Sequence, residues 1–158
     1  MEACLFSESV DETRQLAAAL APLLIAGDTI VLNGAMGTGK TFFVQALLAQ
    51  LNPDQLVQSP TFSLVNVYET PDFPVYHVDF YRLNSEGELW AAGWEDYLDD
   101  KGTLLIEWGQ RFPQALPLSF LQIDFVATGE SGRRLLLSSQ GERGEQLQEE
   151  WLNAVASH

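Results

Sequence analysis

Residues 34–41 read GAMGTGKT, directly behind the apolar run TIVL at 29–32 and ahead of FFVQALLAQL at 42–51. Three glycines, a lysine and a threonine in eight residues, set between a buried-strand pattern and a helical one, decide the architecture. Gly34, Gly39, Lys40 and Thr41 satisfy G-x-x-x-x-G-K-[ST], the Walker A pattern. Its glycines let successive backbone N–H groups converge on phosphate oxygens. Lys40 brings a point charge to the β- and γ-phosphates, and the Thr41 hydroxyl is suited to Mg²⁺. The helix that follows aims its positive end at the same place. Between the fixed positions, Ala35, Met36, Gly37 and Thr38 contribute mainly backbone N–H groups.

Working outward, SESVDETRQLAAALAPLL (7–24) predicts an amphipathic helix. Ser9 and Glu12 form a capping box, and Pro22 bends or shortens the end. DTIVLN (28–33) predicts a buried strand, and the helix after the glycines ends at NPD (52–54). Strand patterns follow at FSLVNVYE (62–69) and PVYHVDF (74–80), a broken pair of short helices at 86–100, and a buried strand at TLLIEW (103–108). LSFLQIDFVA (118–127) and RRLLLSSQ (133–140) around TGESG predict a hairpin, and residues 141–156 a terminal helix. Strand–helix alternation early and a hairpin late predict a three-layer α/β domain on a mostly parallel sheet. No repeat or linker interrupts residues 1–158, which read as one domain.

Composition narrows the function. Eight Lys and Arg stand against 22 Asp and Glu, a formal charge of −14. Nucleic acid is gripped largely through phosphate contacts from cations, so direct DNA or RNA binding is not expected, although a basic partner could supply it. No apolar stretch reaches the roughly 18 residues of a membrane span, and the acidic start is unlike a secretion signal. The single cysteine, Cys4, suits a reducing cytoplasm.

A phosphate loop needs a second Mg²⁺ partner, normally a carboxylate where a buried strand ends. Asp79 and Glu107 both qualify. Thr61, in the SPTF loop at 59–62, stands where a γ-phosphate sensor could. His77 alternates with Asp79 and shares its face, where a lone histidine reads as structural. Trp108, adjoining Glu107, is the tryptophan of interest. A GTPase would carry Asn-Lys-x-Asp, and no Asn here precedes Lys. A small-molecule kinase would need an arginine-rich lid, whereas the six arginines here are scattered. A transporter ATPase would need a signature loop and a longer chain. What remains is a small ATPase whose nucleotide controls something else.

GAMGTGKT, SPTFSLVNVY (59–68), YHVDFYRL (76–83), GWEDYL (93–98) and LIEW (105–108), in this order and spacing, resemble the bacterial TsaE (YjeE) family. The resemblance implies a P-loop ATPase using ATP and Mg²⁺ in the threonylcarbamoyladenosine modification of tRNA position 37. It implies a TsaB–TsaD pair as partner, which holds the tRNA and performs the transfer. It also implies Mg²⁺ ligation by Thr41 and Glu107, a motif aspartate at Asp79, a switch-like threonine at Thr61 and a site tryptophan at Trp108. Thr13 and Arg133 fall on its adenine side. The family usually has LGAGKTT where this chain has AMGTGKTF. Two other readings stay open: an interaction module that binds ATP without needing hydrolysis, and a small-molecule phosphotransferase.

Overall fold

The structure is a computed structural model that describes residues 2–35, 37–53 and 64–157. Seven strands form one sheet: β1 (Ala3–Ser7), β2 (Thr29–Asn33), β3 (Val65–Glu69), β4 (Pro74–Asp79), β5 (Thr103–Glu107), β6 (Phe120–Ala127) and β7 (Arg133–Gln140). Their order across it is β1-β7-β6-β2-β5-β4-β3. The middle is parallel: β6 with β2, β2 with β5, and β5 with β4. Antiparallel pairs close both margins, β3 on β4 at one and β6–β7–β1 at the other. The C-terminal hairpin pairs Phe120 with Gln140 through to Ala127 with Arg133.

The parallel strands are apolar on both faces because both are covered, as buried parallel sheets require. Along β5, Leu105 packs in one core while Leu104 and Ile106 pack in the other. The first core gathers α1 (Val10–Leu20), α2 (Lys40–Leu51) and α5 (Gly141–Ala156) through Leu16, Leu20, Phe43, Leu47, Leu147 and Trp151. The second lies under α3 (Glu86–Ala91) and α4 (Trp94–Asp99), with Phe80, Leu89, Trp94 and Phe112 as its bulk. Helix, sheet and helix make the three layers.

Local signals act where the chemistry places them. Ser9 caps α1 by accepting from Glu12 N at 3.1 Å, and the Glu12 carboxylate returns to Glu8 N at 2.6 Å. Because Pro22 has no N–H to donate, α1 stops at Leu20 and a 3₁₀ turn of Ala21–Leu23 follows. Asp28, 2% exposed, receives two hydrogen bonds from Arg143 at 2.8 and 2.9 Å and one from Ile25 N at 2.8 Å. That buried carboxylate ties the start of β2 to α5. One strand has no counterpart in the sequence reading: ACLFS forms edge strand β1, antiparallel to β7.

Candidate nucleotide site

Three of the parallel strands bring candidate site residues to the same edge of the sheet, beside the phosphate loop. β2 delivers Gly34, β4 delivers Asp79 and β5 delivers Glu107, with Asp79 opposite Glu107 in register. In open α/β sheets the crevice beyond the carboxyl ends of the strands is where ligands bind. A cleft of about 760 Å³ opens there, within the usual size for a small-molecule site. Its walls include Thr13, Gly37, Gly39, Lys40, Thr41, Phe42, Asp79, Tyr81, Arg82, Glu107, Trp108 and Arg133. Three of the chain's eight cationic side chains therefore face one cleft of an acidic protein. Met36 and the segment with Thr61 lie outside the described residues.

The loop geometry follows from its glycines. Gly34 has φ +143°, and a Cβ there would come within 2.7 Å of Phe125 O and 2.9 Å of Thr38 Oγ1. Gly39 caps α2 in the left-handed region at φ +104°. Within the turn, Thr38 donates its hydroxyl to Ala35 O at 2.6 Å. Arg133 fastens the loop from outside. Its Nε donates to Thr38 O at 2.8 Å and its Nη2 to Gly37 O at 3.3 Å, while Nη1 donates to Gly132 O at 2.7 Å in the hairpin turn. Thr13 reaches the cleft wall with its hydroxyl 2.6 Å from Ser7 Oγ and 3.3 Å from Ser9 O.

Lys40 Nζ donates to the carbonyl oxygens of Gly34 and, at 3.2 Å, Ala35. Burial pushes its ammonium below the ordinary lysine value, while Glu107 and Asp79 pull it back up. The Trp108 ring lies 4.8 Å from the same Nζ. Trp108 has φ +61°, the one non-glycine residue in the left-handed region among the described residues. Such backbone is costly and concentrates where a site needs it. Here it turns the indole between Lys40 and Tyr81, whose ring centroid is 5.1 Å away.

Thr41 Oγ1 lies 3.5 Å from Glu107 Oε1. Hard oxygen donors of this kind suit Mg²⁺, which keeps several waters and takes further oxygens from phosphate. Among the described residues no group of three or more His, Cys, Asp or Glu could hold a metal without such help. Asp79 accepts from Tyr81 N at 3.0 Å and has Arg82 Nε at 3.7 Å. Burial raises its carboxyl above the ordinary value, against the lowering effect of the Tyr81 hydrogen bond.

The sequence reading left three neighbours without a role. Arg82 and Tyr81 line the cleft, and His77 bonds Glu107 at 2.6 Å. The arginine and tyrosine follow Asp79 within the 3₁₀ turn Phe80–Arg82. Proximity in sequence was the available signal for them.

The family model described as "Threonylcarbamoyl adenosine biosynthesis protein TsaE" matches residues 7–135. Proteins named tRNA threonylcarbamoyladenosine biosynthesis protein TsaE are similar across most of their length. That of Bacillus subtilis is 34% identical over 140 residues, 89% of this chain and 87% of the relative. That of Rickettsia bellii is 37% identical over 126 residues, 79% and 87%. That of Treponema pallidum is 32% identical over 132 residues, 84% and 97%. The crystal structure of Bacillus subtilis YdiB superposes at a TM-score of 0.79 and 27% identity, covering 97% of this chain and 95% of that one. A phosphate loop on a sheet of this order, matched over this span, has one reading: the chain belongs to the TsaE family.

Proposed function

We propose that this protein binds ATP with Mg²⁺ in the cleft and hydrolyses it to support threonylcarbamoyladenosine modification of tRNA position 37, working in the cytoplasm with a TsaB–TsaD-like pair. The observation that carries the reading is the convergence of Lys40, Thr41 and Glu107 beside a left-handed glycine loop. Lys40 exchanges the carbonyls of Gly34 and Ala35 for the β- and γ-phosphate oxygens. The backbone N–H groups of the loop bind the same phosphates. Thr41 and Glu107 would hold Mg²⁺, which neutralises charge on the phosphates as the bond to the leaving group breaks.

Asp79 stands in register with Glu107 and lines the same cleft, and in this proposal it faces the γ-phosphate. As water oxygen bonds to the γ-phosphorus, the bond from that phosphorus to the β–γ bridging oxygen breaks and ADP leaves. Asp79 takes the water's proton, a task favoured by its raised carboxyl pKa. Arg133 and Thr13 also line the cleft, and the proposal gives them the nucleoside side. No helix among the described residues is long and apolar enough to cross a membrane.

The −14 charge supports a division of labour in which tRNA is held by the partner. Thr61 is then the switch-like residue, the proposed sensor of the γ-phosphate. Affinity for the TsaB–TsaD-like pair is expected to be higher with ATP than with ADP. In Thr61→Ala that difference is lost while ATP affinity stays within about threefold. Titration by interferometry, with bare tRNA as a second analyte, checks this. Equal affinity with both nucleotides, or tight binding of bare tRNA, contradicts the reading.

A further inference from the structure

β4 and β5 run parallel with His77 opposite Leu105 and Asp79 opposite Glu107. His77 and Glu107 therefore sit one diagonal step apart on the same face, the face that meets α2. His77 is 0% exposed and Glu107 4%. The histidine Nε2 lies 2.6 Å from Glu107 Oε2, while Glu107 Oε1 lies 3.5 Å from Thr41 Oγ1. An ionised carboxylate only accepts, so Nε2 carries the hydrogen.

The other ring nitrogen is the informative one. His77 Nδ1 is buried and has no hydrogen-bond partner among the described residues. A histidine kept for packing alone would be replaced at lower free energy by leucine or phenylalanine, which leave no buried nitrogen unpaired. Among the described residues one hydrogen bond, to the carboxylate, is all the polar ring makes. Glu107 also has a competing partner of opposite charge: Lys40 lines the same cleft. Released from His77, the carboxylate would be free to turn toward Lys40 and away from Thr41.

We infer that His77 is a positioning residue that holds Glu107 Oε2, so that Oε1 faces Thr41 and the two oxygens are set for Mg²⁺ before it arrives. This rests on the reading of Glu107 as a Mg²⁺ partner. Outer partners of metal ligands typically change metal affinity or activity by about 10- to 100-fold when removed.

The test titrates Mg²⁺ into protein holding a fluorescent ADP analogue, and separately measures that analogue's affinity in EDTA. His77→Leu is expected to raise the Mg²⁺ half-saturation about tenfold or more, with metal-free affinity within about twofold. In His77→Gln the side-chain amide can still donate to Glu107, and the half-saturation returns to within about threefold of the wild type. His77→Asn, with an amide too short to reach, behaves like His77→Leu. If the leucine variant does not fold, the glutamine–asparagine comparison carries the test.

Wild-type Mg²⁺ dependence in His77→Leu or His77→Asn overturns the inference. So does equal loss in His77→Gln and His77→Asn, or a loss of metal-free affinity as large as the loss with Mg²⁺. Glu107→Gln, run in parallel, separates the two ideas. A shift there but not in His77→Leu sinks the positioning role alone, and no shift in Glu107→Gln sinks the Glu107 assignment itself.

Discussion

Lys40→Ala is expected to lower ATP affinity by about 100-fold or more, read by calorimetry with the fold intact. The ammonium of Lys40 sits on the carbonyl oxygens of Gly34 and Ala35, within the loop proposed to hold the phosphates. Each hydrogen bond to a charged group contributes roughly 1.5–3 kcal/mol, and losing two at the β- and γ-phosphates corresponds to at least about two decades of affinity. No other lysine can replace it. The chain's second, Lys101, stands two residues before β5, so it lies at the opposite end of that strand from Glu107. Arg133 is also committed, since its guanidinium is bound to the loop's own carbonyls and the hairpin turn. Trp108 would lose the cation beside its ring, so a change in tryptophan emission should accompany the variant. ATP affinity unchanged in Lys40→Ala would remove the loop from the account.

The second large effect is expected on the rate. Glu107→Gln keeps the shape of the side chain and removes the charge beside Thr41. Phosphate release should fall about 100- to 1,000-fold, the range seen when one electrostatic stabiliser of a transition state is lost. Nucleotide affinity without metal should change little. Asp79→Asn should also slow release while keeping nucleotide bound, because the amide cannot take up the proton from water. The two variants differ in Mg²⁺ dependence. Glu107→Gln needs more Mg²⁺ for half-maximal turnover, and Asp79→Asn does not. Normal turnover in both variants, measured by a coupled phosphate assay, would show that neither carboxylate has the role given to it.

Much of this was legible in the chain because the signals are local. The phosphate loop is eight contiguous residues, and the strand before it and helix after it adjoin it directly. Asp79 and Glu107 could be named because each ends a strand pattern, a property read within six residues of sequence. The hairpin was legible because alternation runs through both arms.

What stayed hidden depends on pairing across the sheet. Alternation puts His77 and Asp79 on one face, yet only the β4–β5 register brings His77 Nε2 to Glu107, 30 residues away. The Arg133 clasp on Thr38 spans 95 residues and follows from β6 lying beside β2. Strand β1 was missed because ACLFS is short, mixes cysteine and serine with apolar residues, and takes its pairing from β7 at the far end of the chain. Its pattern carries little period of its own. The antiparallel set of β3 against β4 likewise follows from a short turn at 70–73, which the residues TPDF permit without specifying.

The central claim is that turnover of ATP in this cleft sustains the tRNA modification. The most direct measurement is the threonylcarbamoyladenosine content of digested tRNA, by mass spectrometry, from a bacterium depleted of its own TsaE and supplied with this chain. The account predicts restoration by the wild-type chain and none by Lys40→Ala or Glu107→Gln at equal protein levels. Restoration by all three alike would contradict it.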